Sequence, residues 1–379
     1  DVALFSEETG YAAEHFRARL RWPEEGARPL PLRPAVHAPD HLPRVPLEPS
    51  DLYEDVLFQG KRFHRLLSYR RAGARSVIAE LSSEIQEDWF GTFMPQERRL
   101  ADPGTRDAVM HALQVCVPHG TLLPEGVERL HPAEPGAAAG RVLLHAKERF
   151  QEGDSYVYDV ELRGPSGAVV ESWEGLRLRA VRTGDGSGPW IPSLLGPYLE
   201  RRLEQVLGGT RAVVVEPAPP SSDGGLEERR QRTELAVGRA LGHPVRVSHR
   251  PDGRPEVAGA LVSAAHGAGV TLVVAGGHRL ACDVETVARR SEQDWAGLLG
   301  GDLMPLRDLV TVEAEESSDT AGTRVWGALE CLRKAGEPGR SLTLGSVGEH
   351  GWVVFACGGA RVATWTTDVE GRPAPVVGG

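Results

Sequence analysis

The sequence predicts an α+β protein with more than one domain, and three observations lead to that class. Period-two alternation of apolar and polar residues, broken by glycine turns, predicts antiparallel strands between residues 77 and 181. Apolar residues at helical spacing predict amphipathic helices within 106–117, 226–242 and 324–336. With 379 residues the chain is too long for one ordinary core, so two or three domains are expected.

Composition narrows the class of protein. A chain with 40% hydrophobic and 25% charged residues has the balance of a soluble globular protein. The net charge of -10 disfavours broad binding to nucleic acid, and no apolar run or N-terminal signal predicts a membrane or secretory segment. The cysteines are far apart and predict reduced core residues. We therefore expect a cytoplasmic protein that binds neither nucleic acid nor membrane.

Changes in composition divide the chain into five regions. A strand-like opening precedes a proline-rich stretch that predicts an extended connector over a surface. A strand-rich region with one helix follows, then a linker with a docking helix, then a second region of mixed helices and strands. The regions are 1–22, 23–50, 51–183, 184–210 and 211–379. The connectors predict that residues 211–379 fold independently.

A pair of carboxylates stands out in the segment TLVVAGGHRLACDVE, residues 271–285. The segment predicts a hairpin that turns at its Gly-Gly pair. On the second strand Asp283 and Glu285 would share the face opposite Cys282 and Val284, and their charges would repel. A hard cation such as Mg²⁺ would offset that repulsion and leave room for substrate phosphates. A solvated strand face is the open alternative, since D-x-E is a common tripeptide.

Three further features lie nearby in the chain. Glu330 and Lys334 are one helical turn apart, and Trp326 lies one turn earlier on the same helix face. His266 ends an apolar strand, and arginines populate helix 226–242 and the turn after it. Each feature also has an ordinary interpretation: a surface ion pair beside a core tryptophan, a structural histidine, and solvated charges.

Taken together, these features resemble the surfactin-type phosphopantetheinyl transferases over roughly residues 225–340. The histidine, the D-x-E pair seventeen and nineteen residues later, and then W-x-x-x-E-x-x-x-K agree with that family in order and spacing. The resemblance implies a pseudo-twofold α+β fold that transfers 4'-phosphopantetheine from coenzyme A to a serine of an acyl carrier protein. Leu329 and Ala265 depart from the pattern, where many relatives have lysine and serine.

The resemblance also assigns roles to residues. It implies that Mg²⁺ is held against the coenzyme A pyrophosphate by Asp283, Glu285 and Glu330. It implies phosphate contacts from His266 and Lys334, contacts near the 3'-phosphate from Arg230 and Arg254, and transfer of the serine proton by Glu330 or Lys334. A non-catalytic module that binds coenzyme A or a carrier protein is the alternative from another class.

The front region resembles a different family. The stretch SDLYEDVLFQGKRFHRLL and the helix motif D-x-x-x-H, formed by Asp107 and His111, resemble the second hotdog of polyketide synthase dehydratase domains. In that family the aspartate acts with a histidine from an H-x3-G-x4-P motif of the first hotdog, and none of the thirteen histidines here fits that motif. We therefore interpret residues 1–22 as a remnant of the first hotdog and expect an incomplete dehydratase.

The order of the two resemblances suggests the C-terminal end of an enediyne-type iterative polyketide synthase. Such a synthase would carry its own carrier-activating domain. A hotdog thioesterase fused to an unrelated domain is the second alternative. For Asp107, a first-turn acid that stabilises the helix is the ordinary interpretation.

Overall fold

The computed structural model describes residues 1–21, 42–53, 56–83, 89, 91, 93–94, 102–133, 140–186, 188–218, 225–337, 341–367 and 375–378. Most of the predicted connector 23–50 lies outside these residues. The chain divides into two compact units, Asp1–Pro34 and Ala35–Gly379.

The first unit contains two short antiparallel strands, β1 (Val2–Phe5) and β2 (Glu14–Ala18). Gly10 turns the chain between them with a left-handed φ of 58°. The strand-like character predicted for residues 1–22 is confirmed. An isolated two-stranded ribbon has little stability of its own.

An antiparallel sheet forms the front part of the second unit. Its strands run in the order β3, β4, β7, β8, β9, β5, and β6 also pairs with β9. They are β3 (Leu66–Ala72), β4 (Ser76–Ser82), β5 (Gly120–Gly126), β6 (Arg129–His131), β7 (Arg141–Glu152), β8 (Ser155–Arg163) and β9 (Val169–Thr183). The alternation seen in the sequence predicted β4, β7, β8 and β9 correctly, whereas β3, β5 and β6 were not predicted.

Helix α1 (Pro103–His111) packs against this sheet and continues as a 3₁₀ turn to Cys116. It begins earlier than predicted because Asp102 is its N-cap, with a side chain that accepts a hydrogen bond from the Thr105 amide. Pro103 at the first helical position adds to this start signal. Asp107 therefore lies inside the helix, and the capping function belongs to Asp102.

Helix α2 (Pro192–Leu207) is the docking helix predicted within 184–210. A Cβ at Gly196 would lie 2.7 Å from the Val213 carbonyl, so only glycine lets the helix approach strand β10 (Arg211–Pro217) this closely. Tyr198 packs against Trp365, with ring centroids 5.0 Å apart. Helix α2 thus packs against the C-terminal part of the chain as well as against the front sheet.

The C-terminal part of the second unit contains two larger sheets, each packed against a helix, and a two-stranded ribbon formed by β11 and β12. The first has the strand order β10, β14, β13 and packs against α3, and the second has the order β15, β19, β18, β17, β16 and packs against α6. The additional elements are α3 (Leu226–Leu241), β11 (Ser248–His249), β12 (Pro255–Glu256), β13 (Leu261–Gly267), β14 (Val270–Gly276), β15 (Asp283–Thr286), α4 (Glu292–Leu299), α5 (Met304–Glu313), α6 (Ser318–Ala335), β16 (Thr343–Val347), β17 (Val353–Cys357), β18 (Ala360–Thr366) and β19 (Pro375–Gly378).

Glycine signals predicted helix ends correctly but one hairpin wrongly. Gly242 and Gly336 end α3 and α6 in the left-handed conformation, at φ 80° and 82°. The Gly-Gly pair after β14 does not form a hairpin, because β15 pairs with β19 in the other sheet. The segment between them crosses from one sheet to the other.

One hydrophobic cluster runs through the regions that the sequence predicted as separate domains. It contains side chains from the front sheet, from α2 and from both C-terminal sheets. Members include Tyr69, Leu144, Leu199, Val213, Leu272, Val354 and Trp365, each 4% exposed or less. Leu47, from the end of the predicted surface connector, is also buried in it.

The cysteines are buried and unpaired, which confirms the predicted core role of Cys116, Cys282, Cys331 and Cys357. Among the described helices, none is both long and apolar enough to cross a membrane.

Candidate functional site

Strand β15 and helix α6 form a cluster of one lysine and three carboxylates. The Lys334 Nζ donates hydrogen bonds to Asp283 Oδ1 at 2.8 Å and to the Cys282 carbonyl at 2.9 Å. Asp283 is only 6% exposed, which excludes the solvated strand face as its environment. Both faces of this segment are buried, since Ala281 and Cys282 enter different hydrophobic clusters. The charge of Asp283 is therefore balanced by a lysine of the chain.

The lysine stays charged in this position. Burial acts to lower the pKa of Lys334, but its neighbours Cys282 and Asp283 outweigh that effect, so the pKa is raised. An amine with a raised pKa is a poor proton acceptor at neutral pH and a persistent cation. Lys334 can therefore stabilise negative charge but is poorly suited to accept a proton.

The second carboxylate of the pair, Glu285, is held by a tryptophan. The Trp326 indole donates a hydrogen bond to Glu285 Oε1 at 3.2 Å. Burial raises the pKa of Glu285, and the nearby charges of Asp283 and Glu330 raise it further. Trp326 thus does more than fill the core, because its polar edge orients a carboxylate.

The third carboxylate, Glu330, faces its own helix. Its Oε2 lies 2.6 Å from Nη2 of Arg333, whose side chain is 69% exposed. The Glu330 side chain is itself only 15% exposed, but because its partner is a solvated arginine the pair can open into water. The ion pair between Glu330 and Lys334 expected from their spacing does not form, because each residue binds a different partner.

The donor set at this cluster suits a hard divalent cation, although the carboxylates do not converge. In the described ranges, no three His, Cys, Asp or Glu side chains are arranged to hold a metal ion. Asp283 Oδ2 is nevertheless buried and without a hydrogen-bond partner. Carboxylate oxygens are the ligands that Mg²⁺ prefers. Asp283, Glu285 and Glu330 would be the residues that hold it.

His266 lies at the end of β13, beside α3. Its Nδ1 hydrogen-bonds with Thr271 Oγ1 at 2.9 Å and its Nε2 with Thr233 Oγ1 at 3.2 Å. Partial burial, together with the charges of Arg232, Arg229 and Lys334, lowers the pKa of His266 to about 4. The imidazole is therefore neutral at pH 7, and the positive charges around it would attract an anion.

The two predicted arginine contacts have different surroundings. Arg230 is exposed on α3. Arg254 donates hydrogen bonds to the carbonyls of Arg333 and Lys334 at the end of α6. Nothing in the sequence distinguishes Arg232 from the other arginines of α3. Two of its guanidinium nitrogens are buried without hydrogen bonds.

A second cluster lies on α1 in the front region. His111 Nδ1 is 3.0 Å from Asp107 Oδ2, and His111 Nε2 is 3.2 Å from the Tyr53 hydroxyl. Tyr53 stacks on His64 at a centroid distance of 3.7 Å. Burial raises the pKa of Tyr53 to about 12, so its hydroxyl is protonated.

This second cluster could provide an acid or base. Asp107 is 30% exposed and is oriented by His111, whose side chain is only 3% exposed. Tyr53 belongs to the stretch SDLYEDVLFQG, whose sequence pattern alone does not indicate that the tyrosine is a site residue. His64 lies beside it, with Nε2 hydrogen-bonded to the Gln59 carbonyl at 2.9 Å.

The comparisons with known proteins concern this front region. Residues 33–187 match the family model described as polyketide synthase dehydratase N-terminal domain. The match covers less than half of the chain and ends before the lysine and carboxylate cluster. The front region is therefore similar to polyketide synthase dehydratases. The narrower assignment of 51–183 to the second hotdog stays a prediction. No curated protein matches the sequence.

Solved structures with similarity to the chain include several dehydratase domains. That of a mycocerosic acid synthase-like polyketide synthase shares 20% identity at a TM-score of 0.29, covering 36% of this chain and 49% of that one. The dehydratase domain of RzxB from Pseudomonas fluorescens shares 17% at 0.26, covering 32% and 42%. The dehydratase domain from the CurF module of curacin polyketide synthase shares 17% at 0.28, covering 36% and 48%. The chain thus spans about half the length of these structures or less.

Proposed function

We propose that the C-terminal region transfers 4'-phosphopantetheine from coenzyme A to a serine of an acyl carrier protein domain. The observation that carries the proposal is the contact of α6 with β15. Trp326 binds Glu285 and Lys334 binds Asp283, so the helix motif and the D-x-E pair belong to one cluster. The similarity of residues 33–187 to polyketide synthase dehydratases supports a carrier protein as the partner.

The reaction requires a phosphoryl centre to be attacked by an alcohol. The serine oxygen forms a bond to the β-phosphorus of coenzyme A, the bond from that phosphorus to the bridging oxygen breaks, and adenosine 3',5'-bisphosphate leaves. The serine proton passes to a base. Positive charge near the bridging and non-bridging oxygens stabilises such a transition state.

The charge of each residue in the cluster indicates which of these tasks it can perform. Lys334 is held as a cation and stabilises phosphate charge. Glu330, whose partner is the solvated Arg333, accepts the serine proton. Of the two residues expected to take the proton, Glu330 and Lys334, we therefore propose Glu330. His266 is neutral, and the cationic Arg229 and Arg232 lie near it. These residues would therefore bind the phosphates of coenzyme A. When bound, Mg²⁺ would neutralise pyrophosphate charge.

A mass-spectrometric assay tests the proposal. The whole chain is incubated with an apo carrier protein, coenzyme A and Mg²⁺, and we expect the carrier to gain one phosphopantetheine. Asp283→Asn should lower the rate of transfer by about 10²–10³-fold or more, because one electrostatic contact at such a site typically contributes a factor of about that size to the rate. Glu313→Ala, an exposed acid on α5, is the matched control and should transfer normally.

Two outcomes would contradict the proposal. One is undiminished transfer by folded Asp283→Asn, or by the parent in excess chelator. The other is saturable binding of coenzyme A without transfer to any carrier protein, which would favour the non-catalytic module.

The choice of asparagine follows from burial. A solvated strand face opposite Cys282 and Val284 would tolerate Asp283→Ala, but Asp283 is buried against Lys334. Removing one partner of a buried pair costs about 3–5 kcal/mol. Asparagine keeps an acceptor for Lys334 and removes the charge.

A further inference from the structure

Arg254 lies in the turn that joins β11 and β12, and this turn fixes its position. The Arg250 amide donates to the Arg254 carbonyl at 2.9 Å, and the Gly253 amide donates to the Arg250 carbonyl at 2.9 Å. Asp252 accepts from the Arg254 amide at 3.1 Å, and its Oδ2 lies 3.2 Å from the guanidinium Nε. The guanidinium is therefore oriented by its own turn.

The same guanidinium reaches the C-terminal end of α6. Its Nη1 donates to the Lys334 carbonyl at 2.8 Å and its Nη2 to the Arg333 carbonyl at 3.1 Å. Carbonyls of the last turn have no partner within their helix, and the helix dipole favours a cation there. The Gly336 and Glu337 amides donate to the carbonyls of Arg333 and Leu332. Arg254 completes this end of the helix by binding Lys334.

The capped residue is the one whose side chain enters the cluster. Lys334 is anchored through its carbonyl by Arg254 and through its Nζ by Asp283 and Cys282. A lysine side chain loses much conformational freedom when it is held, so a fixed backbone lowers that cost. We propose that Arg254 is a positioning residue, which holds the last turn of α6 so that Lys334 reaches Asp283.

This inference rests on the proposed function and differs from the role that the resemblance gave to Arg254. A residue near the 3'-phosphate would discriminate coenzyme A from 3'-dephospho-coenzyme A. A positioning residue would act equally on both donors, because it acts through Lys334 and has no contact with the 3'-phosphate. The two roles therefore predict different kinetics.

The kinetic test compares both donors in the whole chain. Arg254→Ala should lower kcat by about 10- to 100-fold with either donor, since a small misplacement of a charged group has that effect. The ratio of kcat/KM between the donors should stay at its parent value, and Arg254→Lys should recover part of kcat. Arg250→Ala is the control, because Arg250 pairs with Glu256 within the hairpin. Loss of the preference for coenzyme A in Arg254→Ala, with kcat unchanged, would overturn the inference.

Amide hydrogen exchange gives a measurement that does not depend on transfer. Amides of residues 333–337 should exchange at least several-fold faster in Arg254→Ala and at the parent rate in Arg250→Ala. Unchanged exchange in Arg254→Ala would overturn the inference whatever the activity. Faster exchange in Arg254→Ala, with a parent chain that transfers nothing, would support Arg254 as the helix cap and refute the proposed function alone.

Discussion

The buried arginine of α2 offers a sharp test of how the chain is held together. Arg201 is 3% exposed, and its Nε donates to the Cys116 carbonyl at 2.7 Å. Its Nη2 binds Glu148 and the Ala74 carbonyl, so it links α2 to three places in the front region. Arg201→Met keeps most of the aliphatic volume and removes every one of these hydrogen bonds.

The loss of stability expected in Arg201→Met follows from the charge that remains on Glu148. Glu148 has a side chain only 2% exposed, and its remaining cation, Arg75 Nε, is 3.5 Å away. Leaving one partner of a buried pair uncompensated costs about 3–5 kcal/mol. Arg179→Met breaks the pair with Glu125, in which the arginine side chain is 59% exposed, and should cost about 0–1 kcal/mol.

Urea denaturation followed by tryptophan fluorescence measures both variants. If the unpaired charge is the cause, Glu148→Gln combined with Arg201→Met should recover part of the lost free energy of unfolding, giving a coupling of about 1–3 kcal/mol. A loss in Arg201→Met as small as that in Arg179→Met would refute the reasoning. So would a double variant that is simply the sum of the two single changes.

Three further outcomes follow from the same structure. The His266 ring should titrate near pH 4 by NMR, and added pyrophosphate should raise that pKa because an anion stabilises the imidazolium; a midpoint near 6.5 without added anion would contradict this. Burial raises the pKa of Glu200 to about 7, so its stabilisation is complete below its unfolded value and is lost as the pH rises through 7. Glu200→Gln should therefore raise the free energy of unfolding at pH 8, by up to about 3 kcal/mol, and equal denaturation midpoints would contradict this. The chain alone should not dehydrate a 3-hydroxyacyl carrier protein, and turnover that disappears in Asp107→Ala would show that expectation to be wrong.

Local signals in the sequence predicted the local structure well. Alternating residues predicted four strands of the front sheet, β4, β7, β8 and β9, and Gly242 and Gly336 marked helix ends that the structure confirms. These features depend on neighbours along the chain, which a sequence displays directly. The start of α1 was misplaced because Asp102 stood outside the apolar pattern used to find the helix.

Long-range pairing could not be derived in the same way. The partner of β15 lies about ninety residues later in β19, and nothing in a Gly-Gly pair excludes a hairpin. The spacing of Glu330 and Lys334 predicted that they would pair, but the lysine binds the buried Asp283 and Glu330 pairs with Arg333 instead. The capping bonds of Arg254 join residues about eighty positions apart. No sequence pattern indicates these bonds, apart from a turn that contains an arginine.

The shared core leads to a last prediction, on where the C-terminal region can be separated. The sequence predicted that residues 211–379 would fold alone, yet α2 covers Trp365 and Val213, which are 1% and 3% exposed. Burial of one large apolar side chain contributes about 1.5–3 kcal/mol, so loss of the helix removes a large part of an ordinary domain's stability of about 5–15 kcal/mol. A fragment 184–379 that keeps α2 should therefore unfold cooperatively, whereas 211–379 should aggregate or melt without a clear transition. Both fragments contain Asp283 and Lys334, so a difference between their calorimetric transitions reports the contribution of α2 to folding and not the loss of site residues. A cooperative transition of 211–379 at the same temperature as that of 184–379 would show that α2 contributes little to this core.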